Sequence, residues 1–159
     1  SFAWAALVMV FALQAPLQWI VSLPVQFGAM GTVPSLGALA WCGIALSVTG
    51  ILFETIGDWQ LVRFRANPAN AGKVLDHGLW RYTRHPNYFG DACVWWGLWL
   101  IAAEAGYGLW ALPGPLLMTY LLTSLSGVPT VEGHLARSKP GYAAYVQRTS
   151  RFVPLPPKR

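Results

Sequence analysis

Residues 36–53 read LGALAWCGIALSVTGILF, and the chain carries no charged residue at all before Glu54. Water cannot solvate 53 uncharged residues of this character on a folded surface, so the stretch is read as membrane-embedded. The remainder agrees with that reading. Only 11% of residues are charged while 55% are hydrophobic, against about 25% charged in soluble domains. Disorder, a coiled coil and a secreted disulfide scaffold are excluded by this balance. The fold class expected is all-α: a polytopic bundle of about four membrane helices with a cytoplasmic C-terminal tail.

The first helix is expected from about Phe2 to Leu23, with Pro16 as a kink. A short uncharged loop marked by Pro24, Gly28, Gly31 and Pro34 follows. The second helix, from Leu36 to Phe64, would be about 43 Å long at ~1.5 Å per residue, longer than the ~30 Å hydrocarbon core. Its last turns should leave the membrane. Gly43, Gly50 and Gly57 recur every seven residues along it, a stripe that permits close approach by a neighbour. Pro86 opens a third helix to about Ala103. Residues 104–108 form a tight connection, and a fourth helix follows Pro113-Gly-Pro115 to about Leu125. Gly127-Val-Pro129 closes it, a tail with helical potential spans 130–149, and residues 153–157 are extended. The opening stretch lacks the basic region and cleavage site of a signal peptide.

All eleven Lys and Arg fall at 63–84 or 137–159, and the chain carries +5 net charge. Basic residues confined to two segments flanking apolar helices follow the positive-inside pattern and speak against nucleic acid. Four passes place both segments on one side, read as cytoplasmic, in a bacterial inner membrane. The partners expected are the lipid bilayer and a hydrophobic small molecule. The chain reads as a single membrane domain over 1–159, with 130–159 as its tail. Because it starts at Ser1 inside apolar sequence, it is expected to be the C-terminal part of something longer.

Three groups of residues carry candidate chemistry. Glu54 and Asp58 lie four apart on one helix face near the membrane boundary, where an acid normally faces protein or water rather than lipid. Arg65 returns to the face of Asp58, and Arg63 sits to one side; the alternative is a charge ladder ending the helix, with Asp58 paired to an Arg. In the second group, Arg81, Arg84 and His85 precede a helix start whose free N–H groups favour an anion. Asn87, Tyr88 and Asp91 follow on that helix. A juxtamembrane basic cluster meeting lipid headgroups explains the Arg residues but not these three. The tail supplies Glu132, His134, Arg137 and Lys139, then Tyr142 and Tyr145 three apart; these either cover a bound cofactor or form a solvated amphipathic arm. The three His residues form no metal pattern, and Trp95, Trp96 and Trp99 read as packing.

The run Arg84-His-Pro-Asn-Tyr-Phe-Gly-Asp91 resembles a signature shared by membrane sterol reductases and, in part, steroid 5-alpha-reductases. Over its length the chain is most similar to an uncharacterised bacterial membrane family grouped with the latter. Phe53-Glu-Thr-Ile-Gly-Asp-Trp-Gln-Leu61, Asn67-Pro-Ala-Asn-Ala-Gly-Lys73, residues 78–96, Ser126-Gly-Val128 and Lys139-Pro-Gly-Tyr-Ala-Ala-Tyr145 continue the likeness in order. The resemblance implies an NADPH-dependent oxidoreductase with a cytoplasmic cofactor pocket, passing hydride to an electron-poor C=C bond of a hydrophobic, steroid-like substrate. Asp58, Arg65, Asn87, Tyr88 and Asp91 match cofactor-side positions, Arg84 and His85 belong to the same run, and the tail tyrosines match loosely. The acid and tyrosine that polarise the substrate carbonyl in steroid 5-alpha-reductases have no counterpart, so the catalytic proton donor is expected upstream. Arg81-Tyr82, Arg84-His85-Pro86, Tyr88, Glu132 and Gly141 to Tyr145 also resemble isoprenylcysteine carboxyl methyltransferases, which implies S-adenosylmethionine as the alternative cofactor. A non-catalytic membrane scaffold is the third reading.

Overall fold

The computed structural model describes residues 2–31 and 35–158, with the side chains of residues 2 and 3 left out. Pro34, placed in a loop by the sequence, lies outside them. Among the described residues the chain is helical, without a β-strand. Helices α1 (Phe2–Val21), α2 (Leu23–Met30), α3 (Ala38–Ala66) and α4 (Pro86–Ala102) are followed by α5 (Gly108–Ala111), α6 (Pro113–Tyr120), α7 (Val128–Ser138) and α8 (Tyr142–Arg148). The segments Ala103–Tyr107 and Leu121–Leu125 are π-helical turns.

Two helices, α1 and α3, are long and apolar enough to cross a membrane; a pair bent by 77° at Leu112, Pro86–Ala111 with Pro113–Ser138, makes a third if it counts as one span. Along α1, Trp4, Val8, Met9, Phe11, Leu13 and Trp19 are all exposed. A helix apolar on every face and unburied is suited to lipid, not to water. The chain is therefore membrane-associated.

Prolines act differently from the sequence reading at two places. Pro24 starts a helix rather than a loop: it occupies the first turn of α2, which runs on through Gly28 to Met30. Val128-Pro129 likewise opens α7 instead of closing the preceding helix. Proline lacks only an N–H that the first turn leaves unbonded anyway, so both positions tolerate it. Pro16 sits inside α1, which stays helical to Val21. The tight connection after α4 is as expected: Gly106 adopts φ 88°, a left-handed conformation that suits glycine.

The chain forms two compact units, Ser1–Ala45 with Trp95–Thr119, and Leu46–Val94 with Tyr120–Arg159. In the first, the Glu104 carboxylate accepts the Ala40 N–H at 2.6 Å, an acid at the positive end of α3. Trp96 donates to Thr119 and Trp99 to the Gly108 carbonyl, so these indoles are packing groups with satisfied donors. Gly43 leaves no room for a side chain against Gly97 and Leu100.

In the second unit the stripe continues. A methyl group on Gly50 would lie 2.9 Å from the Val94 nitrogen and 3.0 Å from the Cys93 Cβ, and one on Gly57 would meet Pro86. The glycines thus let α3 and α4 touch backbone to backbone within this unit. We expect Gly50→Ala to cost ~1–3 kcal/mol, the usual penalty for overpacking. Gly133→Ala, inside α7 with only the Arg137 guanidinium 4.0 Å away, should instead gain ~0.5–1 kcal/mol. Thermal unfolding of both variants in one detergent checks the opposite signs.

Candidate functional site

The second unit holds a cavity of about 470 Å³ between the end of α3, the segment before α4, the first turn of α4, and helices α7 and α8. Three sequence-distant segments are brought to its wall by one buried side chain. Arg84 donates from Nε to Glu132 Oε1 at 2.8 Å and from Nη1 to the carbonyls of Val146 (3.0 Å) and Thr149 (3.1 Å). Its own N–H donates to Ser150 O at 2.9 Å. A buried cation is costly unless paired and hydrogen-bonded, so the tail folds against it. Around it the same two strands of chain are laced together: the Thr83 hydroxyl donates to Phe152 O, the Leu155 N–H to Tyr82 O, and the Tyr145 hydroxyl to Trp80 O at 2.5 Å. Lys139 Nζ donates to Lys73 O.

His85 stacks on Tyr88, rings 5.4 Å apart and nearly parallel, while its Nε2 faces Glu132 Oε1 at 3.2 Å. Glu132 thus serves Arg84 and His85 through one oxygen, with Arg151 3.6 Å from the other. Burial pushes the His85 pKa below 6.5 and outweighs the upward pull of Glu132. Tyr142 is almost wholly buried at the cavity wall, and its hydroxyl has no hydrogen-bond partner among the described residues. Burial, reinforced by the Glu132 charge, raises its pKa to about 12. At neutral pH it stays protonated, beside the Glu132 carboxylate.

Nine of the residues singled out in the sequence line this cavity: Arg65, Arg84, His85, Asn87, Tyr88, His134, Lys139, Tyr142 and Tyr145. Seven do not, Arg137 among them, which is exposed. Glu132 stands behind the wall as the partner of Arg84 and His85. Asp58 is exposed and accepts a hydrogen bond from the Asn87 amide at 3.1 Å, so it orients a cavity residue rather than lining the cavity. The pairing with a nearby Arg that the alternative, charge-ladder reading required does not form among the described ion pairs. Glu54 packs beside Gly90, on the same helix contact as Asp91. Arg81 is exposed away from the cavity, and Arg63 lies over the Trp59 ring at 4.9 Å.

The role of Arg84 also departs from the sequence reading. Instead of a guanidinium free for phosphate, most of its donors are taken by the tail. The exposed cation at the cavity is Arg65, which has no hydrogen bond or ion pair with a described residue; Lys139 adds a second. Trp80, Val131, Leu135 and Ser138 are lining residues that the sequence reading left without a role. Val131 and Leu135, four apart, form the apolar face of an amphipathic α7; the period was readable, but not what the face covers. Of the described residues, no carboxylate lines the cavity, and no group of three metal-ligating side chains occurs.

A model of the family described as "Protein of unknown function (DUF1295)" matches residues 2–149. No curated protein and no solved structure gives a significant match.

The depressed His85 pKa fixes the sign of a pH effect. Near pH 6.5 the unfolded chain takes a proton at His85 that the folded ring refuses. The stability associated with this neutral ring is full above that pH and falls as pH drops through it towards the folded value. Unfolding midpoints from pH 8 to about 5 should therefore decline more steeply for the wild type than for His85→Gln. Parallel curves would show that His85 does not titrate this way.

Proposed function

We propose that this chain, which belongs to the DUF1295 family, is a membrane-embedded NADPH-dependent reductase of a C=C bond in a hydrophobic, steroid-like enone, and that the cavity is its cofactor site. One observation carries the reading: residues that the reductase resemblance assigns to the cofactor come from three separate segments and line one cavity, Arg65 from α3, Asn87 and Tyr88 from α4, Tyr142 and Tyr145 from the tail. Its volume falls within the ~300–1,000 Å³ of small-molecule sites.

The chemistry of the lining suits such a ligand. Arg65 and Lys139 are the cations for phosphate groups, and the absence of a lining carboxylate leaves them uncompensated within the wall. Trp80, Tyr88 and the two tail tyrosines offer aromatic faces to planar rings. Asn87, held by Asp58, presents a polar group of fixed orientation. Bound NADPH supplies hydride; what this chain does is hold the phosphates, orient the rings and keep water from the buried end. In this reading four passes place both basic segments, and the 130–159 tail, in the cytoplasm of a bacterial cell, with the cavity opening to it. S-adenosylmethionine is the rival ligand. The junction of Glu132 with Arg84-His85, which are the residues the methyltransferase resemblance also uses, favours it; the cationic sulfonium meeting a wall of cations and no acid disfavours it.

A thermal-shift comparison decides. NADPH at ~100 times its Kd should stabilise the purified protein by about 2.7 kcal/mol, and S-adenosylmethionine should not; the reverse result supports the methyltransferase, and no shift with either supports the scaffold. Arg65→Ala should weaken NADPH in a salt-sensitive manner. Asn87→Ala should weaken it by roughly ten-fold with salt dependence unchanged, the scale of one neutral hydrogen bond.

A further inference from the structure

The other face of the α3 end carries a second, shallower groove of about 360 Å³, lined by Trp59, Arg63, Phe64, Asn67 and His77 among others. Arg63 is the one Arg or Lys among its lining residues, and the amides of Gln60 and Asn70 are already engaged, Gln60 accepting from the Leu79 N–H and Asn70 donating to Phe64 O. Arg63 has no carboxylate partner among the described ion pairs and touches the Trp59 ring. The Asn67 side-chain oxygen is taken by the Ala69 N–H, so the NH₂ group is the part of that amide left to meet a ligand. The His77 ring tilts against Phe64 at 6.0 Å. No carboxylate lines the groove; the neighbouring Asp76 is drawn to Arg148 at 3.6 Å. A guanidinium flanked by an amide NH₂ and an imidazole, with no acid among the lining residues, suits the negative charge and acceptor oxygens of a phosphate.

Position adds a second constraint. The groove occupies the last two turns of a helix about 43 Å long, longer than a ~30 Å hydrocarbon core. Trp59 is exposed, and an indole at a helix end is the usual residue of the membrane interface. Arg63, four residues further on, then stands at headgroup level.

We propose that this groove binds a phosphate group, in the form of an anionic phospholipid headgroup, with Arg63 as the principal cation and Asn67 and His77 as flanking donors. It is distinct from the cofactor cavity and goes beyond the reductase reading, so either can fail without the other.

The test uses the full chain in nanodiscs of phosphatidylcholine alone, or of phosphatidylcholine with phosphatidylglycerol, with and without millimolar inorganic phosphate. Phosphatidylglycerol should raise the unfolding temperature of the wild type. Arg63→Gln should weaken its apparent affinity about five-fold, the weight of one basic side chain at an anionic surface. Arg63→Lys should restore part of it. Arg81→Gln removes an exposed cation of the same basic segment outside the groove, and should change little. Inorganic phosphate reproducing the shift in phosphatidylcholine discs would assign the groove to soluble phosphate instead. Equal losses in Arg63→Gln and Arg81→Gln, or no difference between the two lipid mixtures, would overturn the proposal.

Discussion

Arg84 is a guanidinium that folding removes from water, and the second unit is arranged around satisfying it. Glu132 gives it a counter-charge at Nε, and the carbonyls of Val146 and Thr149 both accept from its Nη1. Truncating one member of such a set would leave a buried charge uncompensated, typically at a cost of ~3–5 kcal/mol. The consequence is architectural. For those acceptors to reach residue 84, the chain from α7 to Ser150 must lie against the segment that precedes α4. That placement brings the Tyr142 and Tyr145 rings, 6.0 Å apart, to the wall of a cavity whose other side is the end of α3.

The end of α3 divides its work by face. Successive residues turn by ~100°, so Arg63 and Arg65 project in nearly opposite directions. Leu61 and Arg65, four apart, reach the cavity; Trp59 and Arg63, also four apart, reach the groove. Two basic residues separated by one position thus meet different chemistry. One faces the aromatic rings of the cavity, the other a tryptophan and uncharged amides.

Close contact between α3 and α4 makes this possible within the second unit. Gly50 and Gly90 each stand where a side chain would collide with the other helix's backbone. Association of membrane helices depends on such packing because lipid tails are as apolar as leucine, so burial alone drives little. The polar link between Asn87 and Asp58 sits on the same contact, one residue beyond Gly57 and Pro86. A cavity residue is thereby oriented by the helix pairing itself.

Much of this was legible in the sequence, for reasons that are local. A charge-free run of 53 residues has one solvent it can occupy, and glycines every seven residues imply a close neighbour whichever helix that is. The reach of α3 to Ala66 and the start of α4 at Pro86 followed from turn chemistry and from proline's missing N–H. Nine cavity residues were identified because cations, polar side chains and tyrosines near a membrane boundary need partners. What the sequence did not contain was which partner each one takes. A proline reads as a breaker until its place in the first turn is known, as at Pro24 and Pro129. An arginine next to a helix start reads as an anion site until a glutamate 48 residues away is seen to hold it. Hydrogen bonds and ion pairs act over about 3 Å, and that distance between residues far apart in the chain is set by packing. Composition and period determined the membrane helices; only the tertiary structure decided that Arg84 fastens the tail while Arg65 faces the cavity.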